Sequence, residues 1–156
     1  MNNNIKNIIN YFKKNNISID IIELEKTAKT AKNAADSLNV NVGSIVKSLI
    51  FKIEDDKYII CLVSGINFVS IKKLSKKTNS KIYKPDANEV KKISGFSIGG
   101  VPPIAHKTKM ETFIDKDLAN YKTLYAAAGH PYHIFKTNFD QLCKITKGVV
   151  LDISNI

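Results

Sequence analysis

Val46-Lys47-Ser48-Leu49-Ile50-Phe51-Lys52-Ile53 is followed by the polar run Glu54-Asp55-Asp56-Lys57 and then by Tyr58-Ile59-Ile60-Cys61-Leu62-Val63-Ser64. Two runs rich in β-branched and aromatic residues around a short polar turn predict an antiparallel strand pair. Within the first run Lys47 lies two residues before Leu49 and four before Phe51, so strict alternation sets all three on one face. An ammonium among large apolar groups is either a side chain snorkelling at a strand end or a cation with a task.

Working outward, Ile5, Ile8, Ile9 and Phe12 have the spacing of an amphipathic helix over Ile5–Lys14. Ile17–Leu24 alternates as a strand, Lys26–Leu38 reads as a second helix, and Val42–Val46 is a turn or helix entry around Gly43. On the other side of the hairpin, Phe68–Asn79 begins as a strand end and becomes a helix, and Lys81–Tyr83 is a short strand. Asp86 caps a helix that runs to about Ile93 and is stopped by Gly95. Strands follow at Glu111–Ile114, Thr123–Ala127, Tyr132–Lys136 and Val149–Ile153, with a turn at Gly129-His130-Pro131 and a helix over Asn138–Thr146. The order strand, turn, strand, helix, strand occurs from Val46 to Tyr83 and again from Tyr121 to Ile153, a faint internal echo. Hairpins need antiparallel pairing while each helix carries the chain to another strand, which predicts an α/β domain with a mixed, strongly curved sheet flanked by helices.

At 156 residues the chain fits one domain, 1–156, with residues 1–30 as its N-terminal helix and strand. No apolar run approaches the roughly 18 residues of a membrane span, so a soluble, cytoplasmic protein with no membrane partner is expected. Cys61 and Cys143 have no CxxC spacing and read as reduced core thiols. His106, His130 and His133 lack ligand spacing, so neither a metal nor a cofactor is expected. A net charge of +10 favours a polyanionic partner, nucleic acid before membrane. All of that positive charge is lysine, which suits loose phosphate tracking rather than bidentate base readout. A compositional bias toward Lys, Ile and Asn would produce the same number.

Ile98-Gly99-Gly100-Val101-Pro102-Pro103 is the most unusual segment. Its glycines free the backbone and its prolines forbid helix, giving a rigid loop that presents main-chain groups. Such a loop suits a small polar ligand or a developing oxyanion, and it equally suits a tight connection between elements. Likewise His130 reads either as a functional group or as a turn residue tolerant of unusual φ.

Ile45-Val46-Lys47-Ser48-Leu49-Ile50-Phe51, Ser94-Gly95-Phe96-Ser97-Ile98-Gly99-Gly100-Val101-Pro102-Pro103 and Ala127-Ala128-Gly129-His130-Pro131 followed by Phe135 resemble, in this order, three blocks of the YbaK/prolyl-tRNA-synthetase-associated editing domains. The likeness runs from about Ala31 to Ile153. It implies a compact α/β fold with a barrel-like, largely antiparallel mixed sheet and the activity of a free-standing aminoacyl-tRNA deacylase. It also implies an essential Lys47 at the substrate's 3′ end, and backbone amides of Gly99 and Gly100 in the aminoacyl pocket. Val101 and Pro102 would shape that pocket and His130, on Gly129, would wall it. Ser48, Phe51 and Ala128 fall in the same blocks and are expected to contact substrate. Many members carry an acidic residue where this chain has Ser70.

The expected reaction is hydrolysis of the ester between a small amino acid and mischarged tRNA, with tRNA as partner and a synthetase as a further one. An aminoacyl ester is already activated, so a positioned water and a stabilised oxyanion suffice without a catalytic triad. A non-catalytic module binding tRNA or a synthetase, and a small-molecule hydrolase reusing the pocket, are the alternatives from other classes.

Overall fold

The structure is a computed structural model and describes residues 3–54 and 56–155; Asp55 of the predicted hairpin turn lies outside them. The quoted stretch forms β2 (Ile45–Ile53) and β3 (Lys57–Ser64), antiparallel in register from Val46↔Ser64 to Ile53↔Lys57. A second hairpin, β5 (Leu124–His130) with β6 (His133–Thr137), repeats the motif. β1 (Asp20–Glu23) adds to β6, while β4 (Glu111–Asp115) and β7 (Val149–Leu151) extend the sheet beyond β3. The order is β1-β6-β5-β2-β3-β4-β7: three pairings are antiparallel and three parallel, and the curved sheet stays open, with β1 and β7 at its edges.

Side-chain alternation along β2 and β3 feeds two apolar layers. Val46, Ile50, Ile60 and Leu62 pack with Ile8 and Phe12 of α1 (Asn3–Lys14), Val90 of α4 (Ala87–Ser94) and Leu142 of α5 (Phe139–Thr146). Phe51, Ile59, Cys61 and Val63 pack with Leu74 of α3 (Ile71–Thr78) and with Ile153. Ala34 and Ala35 of α2 (Ala31–Leu38) lie on Ile45. Cys61 and Cys143 are free thiols, and burial pushes Cys61 up to about 12. Among the described residues no helix is long and apolar enough to cross a membrane, and no three His, Cys, Asp or Glu side chains are grouped to hold a metal.

Helix ends follow short polar residues. Thr30, Ser70, Asp86 and Asn138 are N-caps, each accepting a backbone N–H three residues on. Ser70 caps α3 by accepting the Lys73 N–H at 3.2 Å, a task an aspartate performs equally well. The predicted helix from Lys26 begins only at Ala31, because Thr30 caps there and the Ala28 N–H is committed to the Pro131 carbonyl at 2.6 Å. Lys81–Tyr83 contributes one bridge, Lys52↔Tyr83, rather than a strand. β5 runs on through Gly129 and His130 across a bulge, moving the expected turn to Pro131-Tyr132.

β7 stops at Leu151 because the N–H groups of Ile153 and Ser154 turn to the buried Asp115 carboxylate, at 3.0 and 3.1 Å. Asp115 also accepts the Asp117 N–H at 3.2 Å and so ties the C-terminal segment to the end of β4. Asp115→Ala leaves these donors without an acceptor, at about 1–3 kcal/mol for a buried one. The expected result is a melting temperature lower by at least about 4 °C, measured by circular dichroism or calorimetry.

Candidate active site

β2 and β5, the first strands of the two hairpins, run side by side and parallel for only two pairs, Ile45↔Tyr125 and Val46↔Ala126. Beyond Val46 the strands part, and β2 finds its next partner on that side at the Lys52↔Tyr83 bridge. The gap is a cavity of about 700 Å³. β2 forms one wall from Ile45 to Phe51, and Tyr125–Ala127 of β5 stand opposite. Ala28–Ala31, the Ile98-Gly99 turn with Val101, Phe68-Val69 and Ile82 with Lys84-Pro85 close the rest.

Lys47 is the first residue of β2 past the parting point, and its half-buried ammonium donates to the Asn67 carbonyl and stands 5.1 Å from the Phe68 ring centroid. Burial pushes its pKa below the ordinary lysine value, with no carboxylate adjoining it to offset the loss of water. The carbonyl is held in place from behind: Asn67 Nδ2 donates to Asp117 at 3.0 Å, Asn155 Nδ2 donates to Asn67 Oδ1 at 3.0 Å, and Phe68 and Asn155 exchange main-chain and side-chain bonds. Phe68 itself is 75% exposed, an aromatic on the rim rather than in the core.

The glycine loop is closed at its base by Lys107 N to Ser94 O and Thr108 N to Ile93 O, both 2.9 Å. Inside it, Gly100 N bonds Ser97 O at 2.9 Å across a turn whose third residue is Gly99, φ +86°. That turn uses the Gly100 amide and leaves the Gly99 amide outside its bond. A Cβ on Gly99 would stand 2.8 Å from the Lys29 carbonyl, so the loop rests directly on the main chain of the Ala28–Ala31 wall. Val101 is buried against the core from the cavity's edge, while Pro102, also buried, accepts from His106 Nε2 at 2.7 Å. Burial keeps His106 below its ordinary pKa and therefore neutral at pH 7, a brace of the loop.

Of the residues singled out in the sequence, Lys47, Ser48, Phe51, Gly99 and Val101 line the cavity. Gly100, Pro102, Ala128, Gly129 and His130 stand behind it. Ala128 is buried in the core, and Gly129 (φ +83°) takes the edge of Phe96, whose ring carbon would lie 2.7 Å from a Cβ there. His130 Nδ1 accepts the Tyr132 N–H at 3.2 Å and lies 3.1 Å from His133 Nδ1. Ala127 of the third block lines the cavity directly, and the turn that follows carries the Pro131 carbonyl that fixes Ala28, so the rest of the block supports the cavity through the Ala28–Ala31 wall. The sequence marks neither Asn67 nor Lys84, and Phe68 reads there only as a strand end.

A family model described as the aminoacyl-tRNA editing domain matches residues 25–145. The uncharacterised protein YwhH of Bacillus subtilis is 30% identical over 125 residues, 80% of each chain. A candidate Cys-tRNA(Pro)/Cys-tRNA(Cys) deacylase, EbsC of Enterococcus faecalis, is 22% identical over 80% of this chain and 77% of its own. A crystal structure described as a candidate trans-editing enzyme for prolyl tRNA synthetase superposes with a TM-score of 0.93 at 30% identity, covering 100% of this chain and 99% of the other.

The two loop glycines should respond differently to a methyl group. Gly99→Ala meets both a left-handed φ and the Lys29 carbonyl, and should lose at least about 1–2 kcal/mol of stability. Gly100→Ala meets only the Ser97 carbonyl at 3.6 Å and should unfold within about 0.5 kcal/mol of the parent. Denaturant titration of both variants measures the contrast.

Proposed function

The chain belongs to the aminoacyl-tRNA editing domain family, and from that premise we propose that it hydrolyses the ester joining a wrongly attached small amino acid to the 3′ end of a tRNA. One observation carries this reading. Among the described residues, the charged residues lining the cavity are Lys29, Lys47 and Lys84, and no Asp, Glu, His or Cys lines it. A site with cations and no side-chain base suits an anionic substrate whose scissile bond is already activated.

In this mechanism the acyl group enters the apolar space above Phe51 and beside Val101, and Lys47 faces the terminal ribose and phosphate. Water adds to the ester carbonyl carbon while the neighbouring ribose hydroxyl orients it, accepting its proton and passing its own toward the ester's ribose oxygen. The oxyanion is stabilised by main-chain amides, Gly99 among them, and by the field of Lys47. Its collapse breaks the bond to the ribose oxygen, which recovers a proton, releasing free amino acid and tRNA. Gly100 and Pro102 keep the loop in shape. Ala128, Gly129 and His130 keep the opposite wall in place through Pro131. The tRNA body is held by surface lysines, so binding weakens as salt rises, and a synthetase that releases mischarged tRNA is a natural partner.

A panel of mischarged tRNAs tests the reading directly: amino acid should be released from at least one, whereas a shift of tRNA in a gel without release would make the chain a binding module. Lys47→Ala should lower kcat/KM by about 10²–10³-fold, the usual loss for one group stabilising an oxyanion, with the far-UV spectrum unchanged.

Activity should depend on the charge of Lys47. It is full near neutral pH, where the ammonium is protonated, and falls as pH rises through a midpoint below 10.5. The folded chain binds this proton more weakly than the unfolded one, so the cation costs stability at neutral pH and the cost fades as pH rises through the same window. Lys47→Met should therefore abolish the pH-dependent limb without lowering the melting temperature at pH 7.

A further inference from the structure

We propose that the unpaired stretch of β2 binds the α-amino-acyl group through its main chain, with the Ser48 C=O accepting from the substrate's α-ammonium and the Ser48 N–H donating to its ester carbonyl. This rests on the deacylase reading above and names the part of the substrate that the cavity recognises.

The direction of the β2 main chain is fixed at both ends. Lys52 N–H and C=O exchange bonds with Tyr83 at 2.9 and 2.8 Å, on the side away from β3. The Ile45 carbonyl accepts from Gly65 N at 2.7 Å, on the β3 side. Because N–H and C=O directions alternate along a strand, the odd-numbered residues of β2 spend their main-chain groups on β3 and the even-numbered ones face the other way. Val46 meets β5 and Lys52 meets Tyr83. Ser48 and Ile50 lie between them, and their N–H and C=O groups face the cavity with no strand alongside among the described residues. Buried main-chain groups are nearly always paired, so an unpaired pair of rungs in the wall of a cavity marks a place where a ligand supplies the partner.

The ligand this edge fits is defined by geometry. In an antiparallel pair two facing residues exchange one N–H···O=C bond in each direction, and an α-amino ester carries the matching donor and acceptor on either side of a single Cα. Such a group docks as a one-residue strand. Ser48 is the first open rung beyond the parting point, next to Lys47 in sequence, and its own hydroxyl is buried without a hydrogen-bond partner among the described residues. Recognition of this kind reads the amino and carbonyl groups common to all amino acids and leaves the side chain to the apolar walls. The N–H that holds the ground-state carbonyl is also placed to hold the oxyanion.

The test compares alanyl-tRNA with propionyl-tRNA, which has the same ester and lacks only the amino group, each rate normalised to its uncatalysed hydrolysis. The wild-type chain should lose at least about 30-fold in normalised kcat/KM on propionyl-tRNA. Ser48→Pro removes the N–H from the open side of the strand, where proline breaks no ladder bond, and should lower kcat/KM on alanyl-tRNA by about 10²-fold or more. Equal normalised rates on the two esters, or a folded Ser48→Pro protein with parental kcat/KM, would overturn the proposal while leaving the deacylase reading intact. Failure of the wild-type chain on every aminoacyl-tRNA would instead remove the reading on which the proposal rests. Should Ser48→Pro not fold, the ester comparison on the wild-type chain decides the matter alone.

Discussion

A strand in the middle of a sheet cannot leave its neighbour without exposing main-chain polar groups, and the whole site follows from the place where β2 leaves β5. Two rungs hold the hairpins together, enough to fix their relative register. The separation beyond them is sustained by what is wedged on either side: the Tyr83 bridge at the far end of β2, and the bulge that bends β5 between Ala127 and His130. Bulges increase twist and terminate pairing, so the bulge near the end of β5 and the early loss of its partner are parts of one distortion. Because the gap lies within the sheet and not on one of its faces, both apolar layers border it, which is why residues from α3's side and from the glycine loop's side meet there.

Placing a cation in that gap has a cost that the protein meets with main chain rather than with a counter-ion. A carboxylate next to Lys47 would raise its pKa and neutralise its field; the Asn67 carbonyl accepts a hydrogen bond while leaving the positive charge uncompensated. The carbonyl must then stay in place, and the bonds among Asn67, Asp117 and Asn155 see to it. The acid in this arrangement, Asp117, reaches the ammonium only through Asn67. The C-terminal segment, pinned by Asp115 and by Lys73 at the Ser154 carbonyl, is through these contacts part of the site's support.

Local rules made most of the fold legible. The first hairpin announced itself by β-branched and aromatic runs around a polar turn, the second by two short strands around a Gly-His-Pro turn, and Asp86, Gly95 and the N-terminal helix periodicity placed α4 and α1. What sequence could not show was set by contacts distant along the chain. Alanine-rich Lys26–Leu38 has good helix propensity throughout, yet the carbonyl of Pro131, more than 100 residues away, holds Ala28 out of the helix. The strand expected at Lys81–Tyr83 fails for a similar reason, since only Tyr83 reaches β2. For the site, the apolar company of Lys47 was visible in the alternation of β2, and the glycine pair in the loop's composition. That only one of those glycines faces the cavity depends on a turn hydrogen bond, and no spacing rule reveals which amide the turn consumes.

The glycines show how tightly the three distant blocks are interlocked. Gly99 presses on the carbonyl of Lys29, and Gly129 takes the ring of Phe96 where a side chain would otherwise stand. Phe96 belongs to the same loop as Gly99, and Gly129 lies at the end of β5 just before the turn at Pro131, which holds the segment containing Lys29. The contacts therefore form a closed circuit: loop on wall, wall on turn, turn on loop. A circuit of close main-chain contacts has little freedom to relax, because a shift at one point displaces the other two. Such rigidity is what the deacylase mechanism proposed above requires. Where catalysis consists of holding an activated ester and a water against fixed dipoles, the precision of the frame substitutes for reactivity in any one residue.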